Sequence, residues 1–239
     1  MDSILAASLG IAFLGGLVRG TTGFGAAMVM VPPLAYLLGP RTAVPVTLLL
    51  ETFAAAPMLR SVFGLMRWRL IGPICGSAIL AIPLGAQVLA GASVLTLRRA
   101  ISVIVIVFSL ALLSGRRYRG EPRLGTSLAL GALSGVLLGA TSIGAPPVIL
   151  YLLSGPDPVA VTRANLTAFV IVLSAVGLLM LGASGLLTQA TLARAAWLAL
   201  PFAAGVVVGS KLFARLSDER FRRIVMVFML IVALAMLFA

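Results

Sequence analysis

The chain has 239 residues, 61% of them apolar and only 10% charged, and its 18 basic against 6 acidic side chains leave a net charge of +12 with no histidine. So much apolar sequence with so little polar linker exceeds what one soluble domain can bury, and it points to an all-α polytopic membrane protein. The lack of histidine, the scattered aspartates Asp2, Asp157 and Asp218, and a sole lysine, Lys211, outside any GxxxxGK[ST] loop exclude His-based hydrolases, HExxH metal sites, paired-Asp proteases and P-loop ATPases.

Apolar runs are predicted at about 3 to 18, 26 to 38, 42 to 60, 70 to 90 and 98 to 114, then at about 124 to 140, 145 to 154, 159 to 182, 190 to 214 and 221 to 239. The first resembles a signal-peptide core, but no basic segment precedes it and no A-x-A-like site follows, so it is expected to be retained. Cys75 stands alone in an apolar stretch, which excludes an intramolecular disulfide and favours packing over chemistry. The arginines lie in short connections and not along one polar face, so they fit membrane orientation better than nucleic-acid binding.

The one hydrophilic separation, GRRYRGEPR from Gly115 to Arg123, divides the runs five and five. The expected organisation is an N-terminal membrane repeat at 1–115, a basic linker at 116–123 and a C-terminal repeat at 124–239. One offset places Gly16, Gly20 and Gly25 on Gly135, Gly139 and Gly144, and a second, gap-free offset places LGAQVLAGASVLTLRRAI from Leu84 on VGSKLFARLSDERFRRIV from Val208. The shared positions are glycine, proline and arginine, which argues for a repeat over a chance match of leucine-rich helices.

In each half an apolar segment stops at a Gly, Ser and Thr-rich knot and resumes, in GLVRGTTGFGAAMVMVPPLAYLLGP from Gly16 and GVLLGATSIGAPPVILYLLSGP from Gly135. The resumed run from Ala145 to Ser154 would make a helix of about 15 Å, half the hydrocarbon core, and cannot span it. If each broken pair returns to its own side, three crossings remain per half. The basic residues Arg60, Arg67, Arg69, Arg116, Arg117, Arg119, Arg123, Arg215, Arg220, Arg222 and Arg223 then share one side, and Arg41, Arg98, Arg99 and Arg194 the other. An odd crossing number inverts the second half relative to the first, so the expected fold is two inverted-topology repeats, each a re-entrant or broken helix pair plus three transmembrane helices. Both termini are then outside and the central basic loop is cytoplasmic.

Non-helical backbone survives at membrane depth only in protein or against a polar cavity, so the knot from Arg19 to Gly25 and its counterpart must line something. Helices restarting after Gly25 and Gly144 offer free N–H groups and partial positive charge, which suits an anion. Gly20, Gly23 and Gly25 allow close backbone approach, Thr21, Thr22, Thr141 and Ser142 add hydroxyl donors, and Pro146 and Pro147 fit a first helical turn. Gly16, Gly131 and Gly135 are assigned to helix packing instead. Arg19 is either a substrate ligand or the partner of Glu51, the one acidic residue within a long apolar run. Glu51 can pair with Arg19 or Arg163 or carry a coupled proton, with the ion pair preferred. Asn165, Thr167 and Thr47 are within reach of the same cavity, whereas Gln87 and Lys211 are assigned to the periphery. Trp68, Tyr118 and Trp197 are read as interface markers.

The break GTTGFG at Gly20 to Gly25 with its following PPL, the second break ATSIGAPP at Ala140 to Pro147 and the basic centre together resemble the sulfite exporter TauE/SafE family, over essentially the whole chain. The resemblance implies a transporter of sulfite, organosulfonates or related sulfur-containing or carboxylate anions in the bacterial inner membrane, and it puts the family's two signature segments on these two breaks. The second break has Ala140 and Ser142 where the family pattern has glycine. The expected partners are a small anion and the lipid bilayer, with no cofactor, metal or nucleic acid; a coupled proton or other ion and a homo-oligomer are further candidates. An anion channel and a non-transporting membrane subunit are the alternatives to a carrier.

Overall fold

In the computed structural model the described residues are 2–55, 63–114, 123–152, 158–213, 227, 230–235 and 237. Among them the structure is helical, with no strand: α1 (Asp2–Thr22), α2 (Ala26–Leu38), α3 (Pro40–Ala55), α4 (Trp68–Gly91), α5 (Val94–Leu113), α6 (Leu124–Thr141), α7 (Ala145–Leu152), α8 (Val159–Ala183) and α9 (Gln189–Phe213), with a 3-10 turn at Phe63–Leu65. Six of these helices, α1, α4, α5, α6, α8 and α9, are long and apolar enough to cross a membrane. The centre of the basic linker (Arg116, Arg117, Tyr118, Arg119) and the cluster from Arg215 to Arg223 lie outside the described residues, as does Arg60.

The outer surface has the composition of a lipid-facing one. Leu80 and Leu200 are each 80% exposed, Phe53 71% and Trp197 69%, while the interior holds Met30, Leu34, Leu48, Ile82 and Phe169 with almost no exposure. An apolar surface of this extent is stable only in a medium as apolar as itself.

Two helix pairs dominate the packing: α1 with α9, and α4 with α6. Apolar side chains gain little by leaving lipid for each other, so membrane helices associate best where small residues let backbones approach. The glycines do this here. A Cβ on Gly16 would collide with the Phe202 carbonyl, and one on Gly20 with the Val206 carbonyl; on the other pair, Gly135 meets the Ala78 carbonyl and Gly139 that of Ile82. Gly85 lies in the same way against the Val136 carbonyl, and Gly209 against that of Leu17. The packing role expected of Gly16, Gly131 and Gly135 is therefore observed, and Gly20 joins them.

Between α2 and α3 the chain reverses at Gly39, whose φ of 82° and ψ of 148° precede Pro40. Proline demands an extended ψ before it, and the positive φ combined with it is open only to glycine. Two arginines hold this turn against the turn between α4 and α5. Arg98 donates from Nε to the Ala35 carbonyl at 3.2 Å and from Nη2 to the Tyr36 carbonyl at 2.8 Å, with its guanidinium 5.0 Å from the Tyr36 ring centre. Arg41 reciprocates, donating to the carbonyls of Leu89 and Ala92 at 3.3 Å each. A cation on the last carbonyls of a helix satisfies groups that have no intrahelical partner and opposes the helix dipole. Arg41 and Arg98, which the charge count sets apart from most other arginines, thus have a structural task independent of orientation.

Candidate functional site

At the first break α1 runs further than its sequence suggests. The expectation of non-helical backbone from Arg19 onward is corrected: Arg19, Gly20, Thr21 and Thr22 form the last turn of α1, and the break is confined to residues 23–25. Helix continues because nothing in those residues stops it. Gly20 is clamped on α9, and the Thr21 hydroxyl donates back to the carbonyls of Leu17 and Val18 at 3.0 and 2.9 Å. The chain then turns at Gly23 and Gly25, with φ of 78° and 86°, after the Gly23 N–H closes on the Arg19 carbonyl at 2.8 Å. Two left-handed residues so close together are cheap only as glycine.

The restarted helix α2 presents its first N–H groups to a carboxylate of the chain itself. Glu51, on α3 and 8% exposed, accepts a hydrogen bond at Oε1 from the Ala27 N–H at 3.2 Å. Arg19, 5% exposed, acts on the same carboxylate electrostatically. The first break thus places a buried cation in the last turn of α1 within electrostatic range of a buried carboxylate that takes a first-turn N–H of α2.

The second break is built from different parts. α6 ends at Thr141, whose hydroxyl donates to the Leu137 carbonyl at 2.7 Å and accepts from the Ile143 N–H at 3.2 Å. Ser142 follows with a φ of 61°, the only positive φ on a non-glycine among the described residues, and its N–H donates to the Leu138 carbonyl at 2.8 Å. Gly144 is held against α6: a Cβ there would stand 2.6 Å from Leu138 Cβ and 2.7 Å from the Ser134 carbonyl. Pro146 and Pro147 fall in the first turn of α7, where the missing N–H groups have no acceptor in any case.

Among the described residues several buried polar side-chain atoms have no hydrogen-bond partner, on α3, α5, α6 and α8 and at the second break. Ser142 Oγ is one, and Ser134 Oγ, two turns back along α6, is another. Asn165, with no exposed surface, accepts at Oδ1 from the Arg67 N–H at 2.8 Å but has nothing at Nδ2. Thr47 Oγ1 on α3 and Ser174 Oγ on α8 are in the same state. Each such group costs about 1–3 kcal/mol when left unsatisfied, so each calls for a partner such as a water, an ion or a ligand.

α3 connects the two breaks. Glu51 reaches α2, and one turn back along α3 Leu48 lies over Gly177 of α8, where a Cβ would stand 2.9 Å from Leu48 Cδ2 and 2.8 Å from Leu138 Cδ2. Leu138 is the residue whose carbonyl takes the Ser142 N–H and whose side chain packs on Gly144. Leu48 of α3 and Leu138 of α6 thus lie against the same glycine of α8.

Of the residues singled out from sequence, Arg19, Gly23, Gly25 and Glu51 meet at the first break and Thr141, Ser142 and Gly144 form the second, while Asn165 is fully buried on α8. Thr21 and Thr141 spend their hydroxyl protons on their own helices. The side chains of Thr22 and Arg163 lie outside the described residues. Gln87 and Lys211 are exposed, in keeping with a peripheral role, and Trp68 stands half exposed at the start of α4. Sequence reasoning passed over Ser134 and Ser174. For Ser134 a signal existed, because it lies eight residues before Ser142 and so on the same face of α6. The Arg67 N–H on Asn165 had none, being a contact between distant segments.

A model of the family described as Sulfite exporter TauE/SafE matches residues 8–236. No curated protein and no solved structure matches the chain. With nearly its whole length matched, and with a multi-helix membrane architecture around two broken helices, this chain belongs to the sulfite exporter TauE/SafE family, a family of membrane transporters of the sulfite and sulfonate exporter type and not of enzymes.

Proposed function

We propose that the protein is a secondary transporter that carries a small sulfur oxyanion, sulfite or an organosulfonate, out of the cell by alternating access, with the two breaks as the two walls of one site. The observation that carries this reading is the buried, unpartnered Ser142 Oγ on left-handed backbone at the start of α7. A donor in that place, just before a helix start whose dipole end is positive, is matched to an oxyanion. Arg19, Thr21, Thr22, Gly23 and Gly25 contribute the first wall, and Thr141, Ser142, Gly144 and Asn165 the second; Glu51 and Arg163 are the candidates for coupling or an ion pair.

The organisation into two inverted halves, 1–115 and 124–239 around the linker 116–123, is part of the same proposal. What supports it is the pairing of contacts. The offset that carries Gly16, Leu17 and Gly20 onto Gly135, Val136 and Gly139, and the one that carries Ala78, Ile82 and Gly85 onto Phe202, Val206 and Gly209, convert the contacts of Gly16, Gly20 and Gly209 in the α1–α9 pair into those of Gly135, Gly139 and Gly85 in the α4–α6 pair; Gly205 against Phe13 falls on Ala81. Each half thereby packs its broken helix on the other half, so that rocking one against the other opens the shared site to alternate faces. Termini outside and a cytoplasmic basic centre in the inner membrane follow from the arginine distribution.

Export is the direction the potential favours, since a monovalent anion gains about 2.3 kcal/mol per 100 mV on leaving a cell with a negative interior. The test is flux in proteoliposomes with sulfite and methanesulfonate. Saturable flux with counterflow is expected. Unitary currents too large for a carrier would replace it with a channel, and no flux or binding of any small anion would leave only a non-transporting subunit. In a Cys75→Ala background, Ser142→Cys is expected to react with a water-soluble thiol reagent and to be shielded by substrate.

A further inference from the structure

The two breaks differ in one respect that bears on the transport cycle. The start of α7 follows an unpartnered hydroxyl, Ser142 Oγ at 3% exposure, whereas the start of α2 is already occupied by the Glu51 carboxylate, with the buried Arg19 in the last turn of α1 within electrostatic range. We propose that Glu51 is a tethered stand-in for the substrate: in the empty carrier its carboxylate fills the first break and neutralises Arg19, so the empty site crosses the bilayer as a balanced pair and the protein returns without cargo. This rests on the alternating-access reading above and extends it to the return step.

The reasoning is electrostatic. Arg19 has 5% of its surface exposed, and a fixed buried cation resists every rearrangement that deepens its separation from water unless an anion accompanies it. A carrier with Arg19 alone in its site would return only with a second anion aboard and would act as an obligate exchanger. Glu51 removes that restriction because it belongs to α3, which packs on α2, α8 and α9 and moves with the site. Its geometry is that of a ligand: one carboxylate oxygen on a first-turn N–H of α2, the place an oxyanion would take. When the substrate enters between α2 and α7, it displaces Glu51 from Ala27 and takes over the Ala27 N–H and the Ser142 hydroxyl. The loaded site then carries one net negative charge, which the membrane potential drives outward, and the empty site carries none. Of the other charged side chains described on elements packed against α3, Arg41 and Arg98 are tied to helix ends, and Arg69, Arg99, Arg194 and Lys211 are exposed; the side chain of Arg163 on α8 lies outside the described residues.

The experiment compares two fluxes of labelled methanesulfonate, whose charge does not change near neutral pH, in proteoliposomes: net efflux into anion-free buffer, and exchange against the same anion outside. Wild type is expected to support both. Glu51→Gln leaves Arg19 uncompensated in the empty site and is expected to raise the ratio of exchange to net efflux by about tenfold or more, with tighter anion binding because the internal competitor has lost its charge. The double variant Arg19→Gln/Glu51→Gln restores neutrality and returns the ratio towards wild type. Glu51→Asp keeps the charge but reaches Ala27 less well, and it supplies an independent arm should Glu51→Gln fail to insert, with a ratio raised by about threefold. An unchanged ratio in Glu51→Gln or in Glu51→Asp overturns the inference while leaving the transport reading in place. A double variant with a ratio as high as that of Glu51→Gln overturns it too. Wild type that moves no anion at all refutes the transport reading itself, and this one with it.

Discussion

Replacing Ser142 by glycine should make the protein more stable and a worse binder at the same time. Ser142 holds a φ of 61°, a conformation that costs a residue with a side chain about 1–2 kcal/mol. Its hydroxyl is buried without a partner, at a cost of about 1–3 kcal/mol. Glycine removes both terms and gives back about 0.5–1 kcal/mol through the greater freedom of the unfolded chain. The balance is a gain of about 1–4 kcal/mol, which for a chain of this size raises the melting temperature by about 2–4 °C for each kcal/mol. The same hydroxyl, if it donates to the substrate anion, contributes about 1.5–3 kcal/mol to binding, so affinity should fall about tenfold to a hundredfold. Melting curves of the detergent-solubilised protein, read by the fluorescence of Trp68 and Trp197 with and without methanesulfonate, measure both quantities. Ser142→Ala separates them, because it deletes the hydroxyl and keeps the backbone strain. A Ser142→Gly variant that melts lower than wild type, or that is stabilised by the anion to the same degree, refutes the reasoning.

Other expected outcomes follow from the packing and the charges. Gly85→Val drives side-chain carbon into the backbone of Val136, Gly139 and Ala140 and should destabilise the α4–α6 contact by about 1–3 kcal/mol in a melting experiment, whereas Gly76→Ala, with nothing within 4 Å of its Cβ, should be tolerated. Arg98→Ala removes two charge-assisted hydrogen bonds from the end of α2 and should cost about 1–3 kcal/mol; Arg98→Lys, which lacks the planar fork, should recover less than half of it, as measured by thermal melting. Arg19→Ala should weaken anion binding far more than Arg99→Ala, because Arg19 is buried at the break and Arg99 is exposed; equal dissociation constants in titration would return Arg19 to a structural role.

What could be read directly from the residues is what depends on local physics. Apolar runs between arginine-rich turns specify membrane helices because lipid has no other use for such sequence. Clustered glycine followed by proline specifies a helix that stops and restarts, and both breaks occur where those residues lie, at 23–25 and at 142–144. The proposed repeat rests on a register of glycines in the sequence. The tertiary structure alone decided which glycines are conformational and which are contacts. Gly20 and Gly25 look alike in sequence, yet Gly20 lies in helix against the Val206 backbone and Gly25 turns the chain at positive φ, because the nearness of α9 is set by residues almost two hundred positions away. The same holds for donors and charges. Thr21 and Ser142 are equivalent as hydroxyls in a motif, but the helix continues past Thr21 and supplies acceptors for it, while Ser142 sits beyond the last turn with none. Glu51 could be recognised from sequence as an acidic residue in an apolar run; that it caps α2 at Ala27, with Arg19 beside it, depends on the fold of α3 back along α2 and on the turn at Gly39 that permits it.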